Sequence, residues 1–226
     1  PVQNESRGEQ KGKLKLTYIE HIFGCYLASR LHCQKCDHIS WTLDLCLDLN
    51  IEILRDKNIE TINIPYDKPI PEGEIKHPGL VYPSKNIKIP KLLYSFFSPE
   101  ILTKQNYFHC EKCKMSQAVK KLYLKDPPRV LTVVIKRFTN GLIKNNSHVE
   151  FPFEMSLDGV SITPGEWMYR LYAVVVHQGS VSGGHYISYT RRGDNWYYFS
   201  DSHFKQTSLE SVKSAQAYIL FYELTK

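Results

Sequence analysis

The stretch GGHYISYTRRGDNWYYFSD, residues 183–201, decides how the rest of the chain is interpreted. Two aromatic-rich apolar segments flank a glycine-aspartate pair, a pattern that predicts two antiparallel strands joined by a tight turn. Because hairpin strands run in opposite directions, the end of the second returns to the beginning of the first. His185 begins the first strand, and Ser200 and Asp201 end the second. A hydroxyl or carboxylate is therefore predicted within reach of the imidazole, which is the base-and-orienter part of a nucleophilic site.

The composition bounds the class of protein. The 226 residues, with 29 basic and 23 acidic side chains and a net charge of +6, suffice for one domain with a sizeable core or two small lobes. The short basic runs at 11–15 and 120–121 are more typical of solvated surface, so no nucleic-acid partner is expected. No apolar run reaches the roughly 20 residues of a membrane span and no signal peptide is seen, so we expect no membrane segment in this chain.

Four of the six cysteines form two C-x-x-C pairs, Cys33 with Cys36 and Cys110 with Cys113. In a chain without a secretory signal such pairs indicate a metal site rather than disulfides, and an intracellular protein. We expect a cytoplasmic or nuclear protein, with the mitochondrial surface, reached through parts outside this chain, as the alternative. Four thiolates in a tetrahedron form the closed, structural type of Zn²⁺ site. The pairs lie far apart in the chain, so spacing alone leaves two unrelated pairs of free thiols as an alternative.

The remaining sequence divides into segments of different character. Residues 1–20 are mostly polar and predict a flexible lead-in. Residues 21–125 carry both cysteine pairs and a proline-rich insertion at 55–90 without sustained periodicity. Residues 126–226 carry the hairpin. Pro1 stands where a complete chain would have Met, which indicates a fragment or a processed chain.

Three local patterns predict particular elements. Apolar residues alternate from Trp41 to Leu49, which predicts one half-buried strand over 39–53. Ser98 followed by proline predicts the start of a short helix that runs to about residue 104. Thr207 or Ser208 is predicted to cap another short helix near the C-terminus.

Several of these segments resemble the ubiquitin-specific proteases. GGHYISY, W-x-x-F-S-D-S from Trp196, VVIKRF at 133–138 and AYILFY at 217–222 occur in the family's order. The resemblance implies an α+β fold of the papain-like cysteine protease superfamily, with an antiparallel β palm and zinc-bearing β fingers. It makes residues 21–125 the fingers and 126–226 the palm with its histidine box.

The resemblance also implies a reaction and roles for individual residues. A cysteine thiolate attacks the carbonyl of the bond that follows the C-terminal glycine of ubiquitin, and the position of the general base matches His185. Most relatives carry Asp or Asn where this chain has Ser200. We favour Ser200 as the group that orients the imidazole by accepting its Nδ1–H, with Asp201 as a nearby supporting acceptor. Gly183, Gly184 and Tyr186 are expected to border the channel for ubiquitin's C-terminal tail.

The family's cysteine box, a G-N-T-C-[YF]-x-N-like segment, is missing from this chain. Cys25 follows glycine and precedes tyrosine, but no Asn-Thr precedes it and Ala28 stands where an Asn belongs, so an ordinary structural cysteine is expected. The nucleophile is then carried by a thumb lobe upstream or on another chain, and this chain alone is predicted inactive. The alternative is a ubiquitin-binding module without catalytic activity. The expected partners are ubiquitin, ubiquitinated proteins and the thumb lobe.

Overall fold

The computed structural model describes residues 17–53, 87–102, 108–114, 117–139 and 143–225. Nearly all of the predicted lead-in and of the 55–90 insertion lies outside these ranges. None of the described helices is long and apolar enough to cross a lipid bilayer.

Short helices and many strands make up the described part of the chain. The helices are α1 (Tyr18–Phe23), α2 (Ile89–Phe96) and α3 (Leu209–Lys213). The strands are β1 (Cys25–Cys33), β2 (Ile39–Cys46), β3 (Leu49–Glu52), β4 (Glu100–Leu102), β5 (Ala118–Lys125), β6 (Val130–Lys136), β7 (Phe138–Thr139), β8 (Ile143–Lys144), β9 (Glu154–Ser156), β10 (Met168–Ser180), β11 (Gly183–Arg192), β12 (Asn195–Ser200), β13 (His203–Thr207) and β14 (Ala217–Leu224). The α+β class predicted from the sequence is confirmed.

An eight-stranded sheet, called the palm sheet, carries the predicted hairpin. Its strands lie in the order β13-β12-β11-β10-β14-β6-β3, and β9 also pairs with β10. The pairings are antiparallel except for β3 with β6, which is parallel. Leu131, Leu171, Val174 and Leu220 are among the fully buried residues on its central strands. Burial of these apolar side chains makes the middle of the palm sheet a fixed support for the hairpin.

A four-stranded antiparallel sheet, called the fingers sheet, has the order β2-β1-β5-β4. β1 lies between β2 and β5 and pairs with β2 over 25–32 and with β5 over 26–33, so it is the inner strand along nearly its whole length. Cys33 ends β1 at the far end of this sheet from Cys25. Asp126 adopts a φ of 52° directly after β5, where two prolines end the strand and redirect the chain to the palm.

The single strand predicted over 39–53 is wrong. The chain forms β2 in the fingers sheet and then, after Leu47 and Asp48, β3 in the palm sheet. The alternating apolar set is also less buried than predicted, since Trp41 is 49% and Leu43 is 48% exposed. A period of two fixes which side chains share a face, but not whether another layer covers that face.

The helix predicted from residue 98 is also wrong. Ser98 Oγ donates a hydrogen bond to the carbonyl of Tyr94, 2.7 Å away, and so completes the end of α2 instead of starting a new helix. Residues 100–102 pair with β5 as an edge strand. Tertiary strand pairing here overrides a local capping signal.

Helical structure begins earlier than the predicted end of the lead-in at residue 20. α1 starts at Tyr18, and Thr17 and Glu20 form a capping box in which each side chain bonds to the other's backbone N–H. Near the C-terminus Ser208 caps α3 as predicted, with its hydroxyl 3.2 Å from the backbone N of Ser211.

Candidate active site and metal centre

His185 and Ser200 meet at the open end of the β11–β12 hairpin. Ser188 lies opposite Phe199 in the register, so Ser200 falls opposite Ile187 and shares a face with His185. His185 Nε2 is 2.8 Å from Ser200 Oγ, and both side chains are partly buried. The structure therefore brings together the histidine and hydroxyl that the sequence placed at one end of a hairpin.

The prediction that Ser200 accepts a hydrogen bond from His185 Nδ1–H is wrong. Nε2, not Nδ1, faces Ser200, so Nδ1 is the nitrogen left to exchange a proton with a reacting group. Asp201 stands in the turn after β12 with a φ of 50° and an exposed side chain. This left-handed turn takes the carboxylate off the strand, and Ser200 is the group bonded to His185.

The glycine entry to β11 is sterically required at one of its two positions. A Cβ on Gly184 would lie 2.2 Å from His177 Nε2 and 2.5 Å from the carbonyl oxygen of Gln178. A Cβ on Gly183 would meet no atom within 4 Å. Of these two glycines, Gly184 is therefore the one that permits the close approach of β10.

Tyr186 lies on the face of the palm sheet opposite to His185. It stands across from His177 in the β10–β11 register, and the two ring centroids are 4.8 Å apart. Tyr218 packs against both rings. Tyr186 is nevertheless 56% exposed. It is the outer member of an aromatic cluster behind the hairpin, and its flat, accessible ring suits contact with an extended peptide.

Lys144 helps to shape the site, although no sequence pattern points to it. Its Nζ donates hydrogen bonds to the carbonyl oxygens of His177, at 2.5 Å, and Gly179, at 3.2 Å. Gly179 lies near the end of β10, has a φ of 117° and pairs with Gly184 of β11. Burial and the nearby Arg137 guanidinium lower the pKa of Lys144. This ammonium fixes the end of β10 just before the chain turns towards His185.

Arg137, from the KRF segment, ties three parts of the palm together. It is 1% exposed, and its Nε donates to the carbonyl of Ala217 at 2.7 Å. Its Nη1 donates to the carbonyls of Asn145 and Ser147 at 2.9 and 2.8 Å. Burial lowers the pKa of this guanidinium. Arg137 holds the residues that follow Lys144. It therefore indirectly supports the contact of Lys144 with the end of β10.

A cavity of about 520 Å³ adjoins the His185 side of the palm sheet. Gln178 stands directly opposite His185 in the register, and Ile187 is the next residue on the same face. Other residues of β10 and β11 also line it: Val176, His177, Gly179 and Tyr189. The opposite wall comes from β8, from the segment after it and from the residues that follow α3: Lys144, Asn146, Ser214, Ala215 and Gln216. His185 itself does not line the cavity, but its neighbours on the same face do, so this face of the palm sheet has room for further protein groups.

The four predicted metal ligands form one cluster. The Sγ atoms of Cys33, Cys36, Cys110 and Cys113 all lie within 4.8 Å of one another. Cys33 Sγ is 3.6 Å from Cys113 Sγ, and Cys36 Sγ is 3.5 Å from Cys110 Sγ. Four sulfurs at about 2.3 Å from one Zn²⁺ would stand roughly 3.8 Å apart, so the cluster fits a tetrahedral zinc ion with little adjustment.

The two halves of the cluster have the same local geometry. In each, the backbone N–H four residues after the first cysteine donates to that cysteine's carbonyl, Asp37 to Cys33 at 3.1 Å and Lys114 to Cys110 at 2.8 Å. Asp37 and Lys114 both have positive φ angles. Two such turns present two sulfurs each to a common centre, so four thiolates would complete the coordination without an open position for chemistry.

Cys25 and Cys46, the other two cysteines, also lie together. They are directly opposite in the β1–β2 register, and their Sγ atoms are 3.1 Å apart. The sequence alone does not predict this pair, because nothing in the spacing of the two cysteines shows that β1 and β2 pair in this register. Cys25 is near Tyr169, whose pKa is raised by burial and, to a smaller degree, by this thiol. Tyr169 is nine residues along β10 from Gln178, or about 30 Å at the usual rise of a strand, so Cys25 is far from His185.

One face of the fingers sheet leaves several apolar side chains exposed. Trp41, Leu43 and Leu45 project from β2 with exposed fractions of 40 to 49%, and Ile101 on β4 is 37% exposed. The Trp41 ring packs on Tyr123 of β5, with 5.7 Å between centroids. Such an unpaired apolar surface is typical of a protein contact.

The chain was compared with known proteins. The model of the family described as ubiquitin carboxyl-terminal hydrolase matches residues 2–222. Ubiquitin carboxyl-terminal hydrolase 8 of Arabidopsis thaliana is 37% identical over 159 residues, which are 66% of this chain and 18% of that protein. Ubiquitin carboxyl-terminal hydrolase 42 of Homo sapiens is 34% identical over 214 residues, 91% of this chain and 14% of that protein.

Solved structures with a similar fold belong to deubiquitinase modules. The SAGA Ubp8/Sgf11/Sus1/Sgf73 DUB module bound to ubiquitin aldehyde has a TM-score of 0.72 and 26% identity, over 95% of this chain and 44% of that chain. A yeast SAGA DUB module with a mutant Sgf73 has a TM-score of 0.71 and 29% identity, over 92% of this chain and 42% of that one. The palm sheet with its histidine, together with the four-cysteine fingers, defines a protein of the ubiquitin-specific protease type. The chain belongs to the ubiquitin carboxyl-terminal hydrolase family, and it spans less than a fifth of the two curated relatives named here.

Proposed function

We propose that this chain is the palm and fingers part of a deubiquitinase that hydrolyses the bond after the C-terminal glycine of ubiquitin. The observation that carries the proposal is the His185–Ser200 hydrogen bond beside a cavity on the same face of the palm sheet. Membership of the family supports it, and one solved relative is bound to ubiquitin aldehyde. The proposed compartment is intracellular, where four thiols stay reduced and available to a metal.

The proposed nucleophile is a cysteine outside this chain. All six cysteines are placed elsewhere, four in the metal cluster and two opposite each other at one end of the fingers sheet. The cavity beside His185 is the proposed seat of the lobe that brings the thiol. This arrangement is analogous to other thiol proteases in that base and nucleophile come from different parts of the fold.

His185 is the proposed general base. A thiol near its ordinary pKa of ~8.5 is mostly protonated at neutral pH, so an adjacent imidazole is needed to take its proton. With Nε2 bonded to Ser200, His185 Nδ1 accepts that proton, and the thiolate attacks the carbonyl carbon. The imidazolium then returns the proton to the leaving amine, and water hydrolyses the resulting thioester by the same path in reverse.

The other proposed roles concern binding. Gly183, Gly184 and Tyr186 border the channel for ubiquitin's tail, and the open apolar face around Trp41 contacts the body of ubiquitin. The four-cysteine cluster holds a structural Zn²⁺, which ties the turns after β1 and before β5 together and takes no part in the chemistry.

The test is reaction with a ubiquitin probe that carries an electrophile at its C-terminus. We expect no adduct with this chain alone and an adduct when the cysteine-bearing lobe of the same protein is supplied. His185→Ala should abolish the adduct, while His203→Ala, an exposed histidine on the neighbouring strand β13, should leave it unchanged.

Other outcomes would contradict parts of the proposal. An adduct on this chain alone would identify an internal nucleophile and overturn the division between two parts. Ubiquitin binding without any adduct, even with the second lobe present, would favour the alternative of a ubiquitin-recognition module without catalytic activity.

A further inference from the structure

The pair Cys25 and Cys46 has no part in the proposed reaction or in the metal cluster. Residues directly opposite on antiparallel strands have Cα atoms roughly 4.5–5.5 Å apart, within the range that a disulfide spans. The register places these two cysteines opposite each other, and their sulfurs are already in contact at 3.1 Å. The backbone therefore needs no rearrangement for a bond to form.

We propose that Cys25 and Cys46 form a reversible disulfide when the protein meets an oxidant of the peroxide class. The two positions lie where the chain passes between the two sheets. Cys25 follows α1 and Gly24 into the fingers sheet, and Cys46 ends β2 just before the chain returns to the palm as β3. A bond here would covalently join the segment that enters the fingers sheet to the segment that leaves it.

The surroundings of the two thiols differ in a way that suits such a reaction. Cys25 is 1% exposed, whereas Cys46 is partly exposed and accessible to a small oxidant. The hydrogen bond between the two sulfurs lowers the pKa of Cys46, although burial and the carboxylates of Asp48 and Asp44 oppose that effect. The same contact, with burial, raises the pKa of Cys25. Cys46 is thus the thiolate that reacts first and Cys25 the thiol that resolves it.

The chemistry balances with one peroxide. The Cys46 thiolate attacks one oxygen of hydrogen peroxide, so that an S–O bond forms, the O–O bond breaks and hydroxide leaves. The Cys25 sulfur then attacks the Cys46 sulfur, forming the S–S bond and breaking the S–O bond. Both thiol protons end in water, so two thiols and one peroxide give one disulfide and two water molecules.

The experiment uses the whole 226-residue chain loaded with zinc. It is treated with hydrogen peroxide, the remaining thiols are alkylated, and peptides are mapped without reduction. We expect a cross-linked peptide that contains Cys25 and Cys46, with the mass of the two parts less two hydrogen atoms. The link should disappear with dithiothreitol, and the bound zinc should stay with the protein.

A Cys25→Ala variant supplies the matched control. Without its resolving partner, Cys46 should stop at the sulfenic acid and be trapped by dimedone, and no cross-link should form. If the unsubstituted chain instead keeps both thiols alkylated at a peroxide dose that already oxidises the zinc cluster, the proposal is wrong. That measurement needs no variant, so a variant that fails to fold cannot hide the answer.

A second measurement tests the structural consequence. Hydrogen exchange at backbone amides next to the pair should be about tenfold slower in the oxidised chain. The reason is that the disulfide prevents β1 and β2 from separating locally, which is the motion that exposes these amides to water. Amides of the β10–β11 hairpin, in the palm sheet, should exchange at the same rate in both forms. Equal rates beside the pair would show that the disulfide does not stiffen the base of the fingers.

Discussion

Ser200 presents His185 with a neutral hydroxyl, where the resemblance to the family leads us to expect an acid or an amide. A hydroxyl can both accept from and donate to an imidazole nitrogen, so it fixes the ring orientation without fixing one tautomer. It also stabilises a developing imidazolium less than a carboxylate would. The 2.8 Å contact therefore positions the base rather than strengthening it electrostatically.

From this follows a prediction for the complete enzyme, with this chain and its cysteine-bearing lobe together. Ser200→Ala should lower kcat by about threefold to tenfold, because a neutral hydrogen bond contributes roughly 0.5–1.5 kcal/mol. KM for a ubiquitin substrate should stay the same, since Ser200 lies behind the imidazole and not on the binding surface. Steady-state kinetics with a ubiquitin–fluorophore conjugate provides the measurement.

Two further variants separate positioning from general disruption of the hairpin. Ser200→Thr keeps the hydroxyl and should restore most of the lost turnover. Asp201→Asn changes the neighbouring exposed carboxylate and should have little effect. If Asp201→Asn were the slow variant and Ser200→Ala were normal, the orienting role would belong to Asp201.

At the scale of one element, the β10–β11 hairpin depends on a glycine contact that a sequence motif does not explain. Gly184→Ala should destabilise the palm by about 1–3 kcal/mol, because its Cβ would overlap His177 Nε2 and the Gln178 carbonyl oxygen. Gly183→Ala, one residue earlier, should change stability by less than about 0.5 kcal/mol, since nothing lies within 4 Å of the added carbon. Chemical denaturation of both variants measures the two free energies of unfolding. Equal losses of stability would mean that β10 can move away from Gly184 and relieve the overlap.

The β11–β12 hairpin shows what the sequence can predict and why. Short-range signals placed β11, its turn and β12, and antiparallel pairing then brought His185 to Ser200 without knowledge of any other strand. The choice of imidazole nitrogen was wrong because it depends on the side-chain rotamer and not on the strand direction. The Lys144 contact to the end of β10 spans more than thirty residues of sequence, and no local pattern points to it.

The predictions for elements outside the β11–β12 hairpin were wrong for a related reason. The apolar alternation through Trp41 was recognised, but the sequence did not show that the chain changes sheets after Cys46. Ser98 carried a strong helix-start signal, yet pairing with β5 decided the structure of 100–102. Where a segment's partner comes from a distant part of the chain, local propensity is a weak guide.

For the molecule as a whole, the two sheets have different sources of stability. The core cluster lies mainly on palm strands, with Leu131, Leu171, Val174 and Leu220 fully buried. The fingers sheet instead leaves Trp41, along with its β2 neighbours, open on one face. A sheet with one open face gains stability from a structural metal more than a sheet covered on both faces does.

Zinc removal should therefore act on one sheet. The chain should bind one zinc ion, and chelation should make amides of β1 and β5 exchange at least about 100-fold faster, because metal binding supplies folding free energy to the turns that carry the ligands. Amides of β10 and β14 should keep their protection. Cys36→Ser should reproduce the effect of the chelator, whereas Cys46→Ser, in the same sheet but outside the cluster, should retain the zinc. Simultaneous loss of protection in both sheets would show that the palm cannot stay folded without the fingers, and the two would then form one cooperative unit.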